Sequence, residues 1–200
     1  MSANLMGNPG AVHDFIDDLE SSLYVLLWTI VMYSKVSDPD MVPSFLSGVL
    51  DPLPCNSRGG VTKKDFLKGQ SFLQEVKYPG REKLSDLIIG LAGLFQVRYG
   101  KTPTKDEREE YHELLSVLQD NPALQDAYAK NSFCQQYDDG LAKLKNYDAT
   151  IALFDTALSD RSEWPDNDPP NKQPYGSMAQ PGYFIKSGWG TTGIEKAQTK

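Results

Sequence analysis

An apolar run from Leu23 to Tyr33, interrupted only by Thr29, follows a tight acidic cluster of Asp17, Asp18 and Glu20. Asp17 predicts an N-cap, with Glu20 three residues on to close a capping box. Negative charge is also favoured there by the helix dipole. A helix apolar all round belongs in the interior, and this run falls short of the ~20 apolar residues that span a bilayer. The pattern therefore predicts a buried helix from about Asp17 to Ser34. Asp38-Pro39-Asp40 and Pro43 break it off.

Around this helix the periodicity predicts several others. Glu82 to Tyr99 carries Leu84, Leu87, Ile88, Leu91, Leu94 and Phe95 on one stripe, with Gly100 and then Pro103 to end it. Thr104 and Glu107 form a capping box ahead of Tyr111, Leu114, Leu115 and Leu118. Asn121-Pro122 reads as N-cap and first residue of a short helix through Tyr128. Gly140 introduces a last long helix with the stripe Leu141, Leu144, Tyr147, Ile151, Phe154 and Leu158. Thr62-Lys63-Lys64-Asp65 predicts a capped helix start, with Phe66, Leu67, Leu73 and Val76 as a modest apolar face weakened by Gly69. Met1 to Val12 reads as a loop, Ser44 to Leu50 as a short helical turn, the stretch through Pro52, Pro54 and Gly59-Gly60 as a loop, and Pro79-Gly80 as a turn. No segment alternates with period two long enough to predict a strand. The expected fold is mainly α, a bundle with Asp17–Tyr33 at its centre.

Beyond Asp160 the composition shifts to Pro165, Pro169, Pro170, Pro174 and Pro181 among Asp, Asn, Gly and Ser. That stretch cannot bury enough apolar surface to offset chain entropy, so residues 165–200 are expected to be a disordered, dispensable tail. Trp164 is expected to pack on the last helix. At 200 residues with 40% hydrophobic content, residues 1–164 can form one domain with a substantial core. The net charge of −7 argues against a nucleic-acid binder, which needs a cationic face. The first residues lack a basic stretch followed by an apolar one, and Cys55 and Cys134 have no partner spacing. The expectation is an intracellular protein, cytoplasmic or nuclear, without metal, membrane or nucleic acid.

The residues that speak to function are Asp17-Asp18-Leu19-Glu20-Ser21 followed by Tyr24-Val25-Leu26-Leu27, with His13 upstream and Trp28 closing the run. This stretch resembles the start of the central helix in the large (C-terminal) lobe of protein kinases. It is similar to the casein kinase 1 group and closest to the fungal-type protein kinase-like family. The resemblance implies a helical large-lobe segment over residues 1–164. It implies that Asp18 matches the helix's first-turn Asp, which accepts backbone hydrogen bonds from the catalytic loop. Met1-Ser2-Ala3-Asn4-Leu5 resembles the end of the activation segment, where kinases usually have Ala-Pro-Glu. Asn4 stands where that Glu, with its ion pair to a large-lobe Arg, would be.

The family's activity, ATP-dependent phosphorylation of Ser or Thr with Mg²⁺, needs a phosphate-binding Lys, a catalytic-loop Asp with its Asn, and a metal-binding Asp. Val-Ala-Ile-Lys, His-Arg-Asp and Asp-Phe-Gly are all missing from the sequence. His13-Asp14-Phe15 joins halves of two of these motifs and is expected to shape the helix start. Gly188-Trp189-Gly190-Thr191-Thr192-Gly193 fits G-x-G-x-x-G, but only seven residues follow it, too few for the ~30-residue unit that would cradle a phosphate. Glu107, Glu109, Glu110 and Glu113 read as a solvated helix face. No catalytic, cofactor-binding or metal residue is therefore assigned, and Asp18 alone is assigned a structural role. The expected protein is a kinase large-lobe segment, truncated or decayed and inactive alone, its partner another protein or a missing N-terminal kinase segment. The alternative is a non-catalytic helical protein-interaction domain.

Overall fold

The computed structural model describes residues 1–8, 10–50 and 59–159, with Ser162 and Trp164. The expected tail beyond Trp164, its glycine motif and Cys55 all lie outside the described residues. Among the described residues ten α-helices follow one another: α1 Ala3–Gly7, α2 Phe15–Tyr33, α3 Val42–Phe45, α4 Gly59–Gly69, α5 Ser71–Glu75, α6 Glu82–Tyr99, α7 Lys105–Val117, α8 Pro122–Asn131, α9 Phe133–Lys143 and α10 Asp148–Leu158. The described residues contain no strand, and the chain is mainly α as its periodicity predicts.

The core forms where the two strongest apolar patterns cross. Leu23, Leu27, Ile30 and Val31 of α2 are buried, as are Leu84, Leu87, Ile88, Leu91 and Phe95 of α6. Each such side chain contributes about 1.5–3 kcal/mol when withdrawn from water. Phe45 stacks on Phe72 at 3.9 Å between ring centroids and touches Phe66, which ties α3, α4 and α5 into the same core. α6 meets α2, α4, α5, α9 and α10, so the bundle is organised around α6 as much as around α2.

Several boundaries differ from the sequence pattern, each for a local reason. The N-cap of α2 is Asp14, in a capping box with Asp17, not Asp17 with Glu20. Glu20 is drawn into tertiary hydrogen bonds and is no longer available to its own helix end. Nor is α2 buried all round: Val25 is 65% and Tyr33 61% exposed. Residues 3–7 are a short helix, not loop, because Ser2 caps them by accepting from the Leu5 amide at 3.2 Å. α4 begins at Gly59, which puts Thr62-Lys63-Lys64-Asp65 inside the helix. Its apolar face is split between α4 and α5 by Gln70, whose φ of 52° is left-handed. The expected last long helix is two. Gly140 lies inside α9, where its missing side chain admits Val97 of α6; an added Cβ would stand 3.0 Å from that valine. The break follows at Asn146, whose side chain accepts from the Asp148 amide and restarts the chain as α10.

The Thr104–Glu107 capping box and the Asn121 cap with Pro122 at the first helical position are present as the sequence predicts. Trp164 is half-buried, and its indole N–H donates to the Ala157 carbonyl of α10 at 3.1 Å.

Candidate functional site

The first turns of α2 carry the densest polar chemistry in the structure. Asp17 and Glu20, one turn apart on the inner face, are both fully buried. Asp17 Oδ1 accepts from the Ser2 hydroxyl at 2.7 Å and lies 2.8 Å from Arg98 Nη1, while Oδ2 accepts from the Asp14 amide at 3.1 Å. Glu20 Oε1 accepts from the Ala3 amide at 2.7 Å and the Tyr24 hydroxyl at 3.1 Å. Glu20 Oε2 accepts from the Tyr99 hydroxyl and from Arg98 Nη1 at 3.3 Å. The Asn4 amide donates to the Tyr99 hydroxyl at 3.2 Å. Lys63 of α4 closes the cluster: its ammonium donates to the Met1 carbonyl at 2.8 Å and sits 4.2 Å from the centre of the Tyr24 ring.

The electrostatics follow from this geometry. Burial pushes the Asp17 carboxyl up, but hydrogen bonds from Ser2, the Asp14 amide and Arg98, together with the Arg98 charge, outweigh it and hold the group below its ordinary value. Burial brings the Lys63 ammonium down to about 8, against the opposing pull of Glu20. Burial, reinforced by Glu20, pushes both the Tyr24 and Tyr99 phenols well above their usual range, so they stay neutral donors.

Every oxygen of the two carboxylates is thus engaged, and none faces solvent. The arrangement can fasten residues 2–4 to α2 and α6 through one shared network. It has no oxygen placed to exchange a proton with a substrate. An ion pair this deep is held by its hydrogen bonds as much as by charge, because desolvation offsets the Coulomb gain.

Asp18, the residue singled out from the sequence, lies on the opposite side. Its side chain is 69% exposed and meets His13 Nε2 at 3.0 Å, itself 56% exposed. The helix face running from Asp18 through Ser22 and Val25 to Thr29 is exposed along its length. Of His13-Asp14-Phe15, Asp14 supplies the cap and Phe15 sets its ring edge against Tyr147. Glu107 is held low by the Lys101 ammonium and the Thr104 amide, and Glu109 pairs with Lys105. Cys134 is buried. The described residues contain no cluster of His, Cys, Asp or Glu arranged to hold a metal, and no helix long and apolar enough to cross a membrane.

Sequence reasoning missed Arg98, Tyr99, Ser2 and Lys63 as partners of the acidic cluster. The available signal was Tyr99, which continues the α6 stripe four residues after Phe95 and so carries a hydroxyl into the core. No family model, no curated protein and no solved structure matches this chain.

Proposed function

We propose that this chain is the large-lobe segment of a fungal-type protein kinase-like domain. Its activity in the intact domain is ATP-dependent phosphoryl transfer to Ser or Thr, and the segment alone is inactive. The observation that carries the reading is the two-sided character of α2. One side holds Leu23, Leu27, Asp17 and Glu20 in full burial, while the other leaves Asp18 and Val25 bare. In the family this stretch resembles, the Asp at the Asp18 position accepts amide hydrogen bonds from the catalytic loop. An Asp whose partner among the described residues is an exposed His suits a helix lacking that loop. Arg98 also fits the departure at Asn4, since Asp17 and Glu20 supply the carboxylates that a Glu there would have offered.

Phosphoryl transfer is almost entirely positioning and charge stabilisation, so the roles of phosphate-binding Lys, catalytic Asp and Mg²⁺-binding Asp fall to residues outside this chain. Sequencing the transcript upstream of Met1, with Mg²⁺-ATP titration of the chain, tests the reading. In-frame equivalents of His-Arg-Asp and Asp-Phe-Gly and no saturable ATP binding by the chain are expected. An upstream region without them, or tight ATP binding by residues 1–200, would end it.

The second reading is a helical protein-interaction domain. It is favoured by Val12, Val25 and Tyr33, large apolar side chains that are 88%, 65% and 61% exposed. A partner bound through Val25 when the transcript holds no kinase motifs would select it.

A further inference from the structure

A cleft of about 400 Å³ opens between the C-terminal half of α6 and the first two turns of α9, its lining residues Val97 and Gly100 flanking Arg98 and Tyr99 in the chain. Its floor is cut by glycines. Gly93 on α6 has no atom within 4 Å of where a Cβ would stand, so the space above it is open. The wall is aromatic: Phe133 and Tyr137 lie one turn apart on α9, with ring centroids 6.3 Å apart, and Phe133 is 41% exposed although it is a large apolar residue. The charges lining the cleft are of one sign, Lys68 and Lys101, with no lining carboxylate.

The two lysines are differently committed. Lys101 pairs with Glu107, outside the cleft, and places its ammonium 5.5 Å from the centre of the Phe133 ring. The Lys68 ammonium makes no hydrogen bond or ion pair among the described residues. Its place in the last turn of α4 suits the helix dipole, but that needs no cleft. What a pair of aromatic rings tilted 58° to one another and an uncommitted cation recognise together is a flat ring bearing one negative charge. The ring stacks on one of Phe133 and Tyr137 and meets the other edge-on, and the anion meets Lys68. The size is that of small-molecule sites and exceeds what one ring fills.

We infer that this cleft binds a small aromatic monocarboxylate of one or two rings. The site shares no lining residue with the Asp17–Glu20 network or with the bare face of α2, and it does not rest on the kinase reading.

The test is titration of the full chain with 2-naphthoate, read by calorimetry and by the amide signals of Gly93, Gly100 and Gly140. The neutral 2-naphthamide serves as the matched control. Saturable binding that shifts these glycines is expected, with the amide weaker by roughly ten-fold, the loss expected of one charge-assisted contact. K68A should weaken naphthoate by a similar factor and leave the amide unchanged. G93L should fill the cleft and abolish both. Leucine is the better helix former and meets open space there, so its melting temperature should not fall. Absence of saturable binding, equal affinity for acid and amide, or undiminished binding by G93L would each overturn the proposal.

Discussion

Replacing Glu20 with Gln tests the buried network with almost no change in shape. Four donors converge on the two carboxylate oxygens: the Ala3 amide, the Tyr24 and Tyr99 hydroxyls and Arg98. A side-chain amide has one oxygen and one NH2, so whichever way it is turned, two of those donors face another donor. Each buried donor orphaned in this way costs about 1.5–3 kcal/mol where the lost acceptor was charged. Removing a buried charge beside Asp17 offsets part of that. A net loss of about 2–4 kcal/mol follows, which for a domain of this size lowers the melting temperature by roughly 4–16 °C. Circular dichroism melts of wild type, E20Q, Y99F and the double variant measure it. Y99F removes one of the crowded donors, so the double variant should be less destabilised than the sum of the singles by about 1 kcal/mol. Amide exchange at Ala3 and Asn4 should quicken in E20Q, because the network fastens them. A melting point for E20Q within about 2 °C of wild type, or strict additivity with Y99F, would refute the reasoning.

Three other outcomes follow from the same geometry. Lys63 titrates near 8 in the folded chain against its ordinary 10.5, so between these values the unfolded chain binds the extra proton and stability should rise with pH. The raised Tyr24 and Tyr99 phenols reverse the slope above their ordinary value of 10, and urea melts should show the rise from about pH 8 in wild type and not in K63M. G60A should destabilise by about 1–3 kcal/mol or more, since its Cβ would stand 2.5 Å from the Gly7 nitrogen and push α1 off α4; a melting point equal to wild type would contradict that packing. D14A should cost about 1 kcal/mol through loss of the α2 cap, while D18A, exposed with an exposed partner, should change stability by less than about 0.5 kcal/mol in the isolated chain. The same melts decide both, and a D18A loss as large as that of D14A would contradict the placement of Asp18.

The parts of the fold legible in the sequence are those set by a helix's own periodicity. α6 ran from Glu82 to Tyr99 on both counts, because its stripe and its stop signal agree. The same holds for the Thr104–Glu107 box, where both partners lie within one turn. What the sequence hid were choices settled by distant residues. Glu20 is a reasonable capping partner until the Ala3 amide and Tyr99, 79 residues away, compete for it. Gly140 reads as a helix start until Val97 requires the space beside it. The acidic cluster announced that polar chemistry gathers at the start of α2, but not that Asp17 turns inward and Asp18 outward. Adjacent helix positions differ by about 100° around the axis, so a slip of one residue in the start exchanges buried for exposed.

The most direct test of the proposed function is phosphate transfer from labelled ATP to a Ser/Thr peptide. It compares the longest protein product encoded with this chain, wild type and D18A, with residues 1–200 alone. The account predicts Mg²⁺-dependent transfer by the longer product, loss of at least roughly 100-fold in D18A from misplacement of the catalytic loop, and none from the chain alone. Turnover by residues 1–200 alone, or full activity of D18A in the longer product, would contradict it.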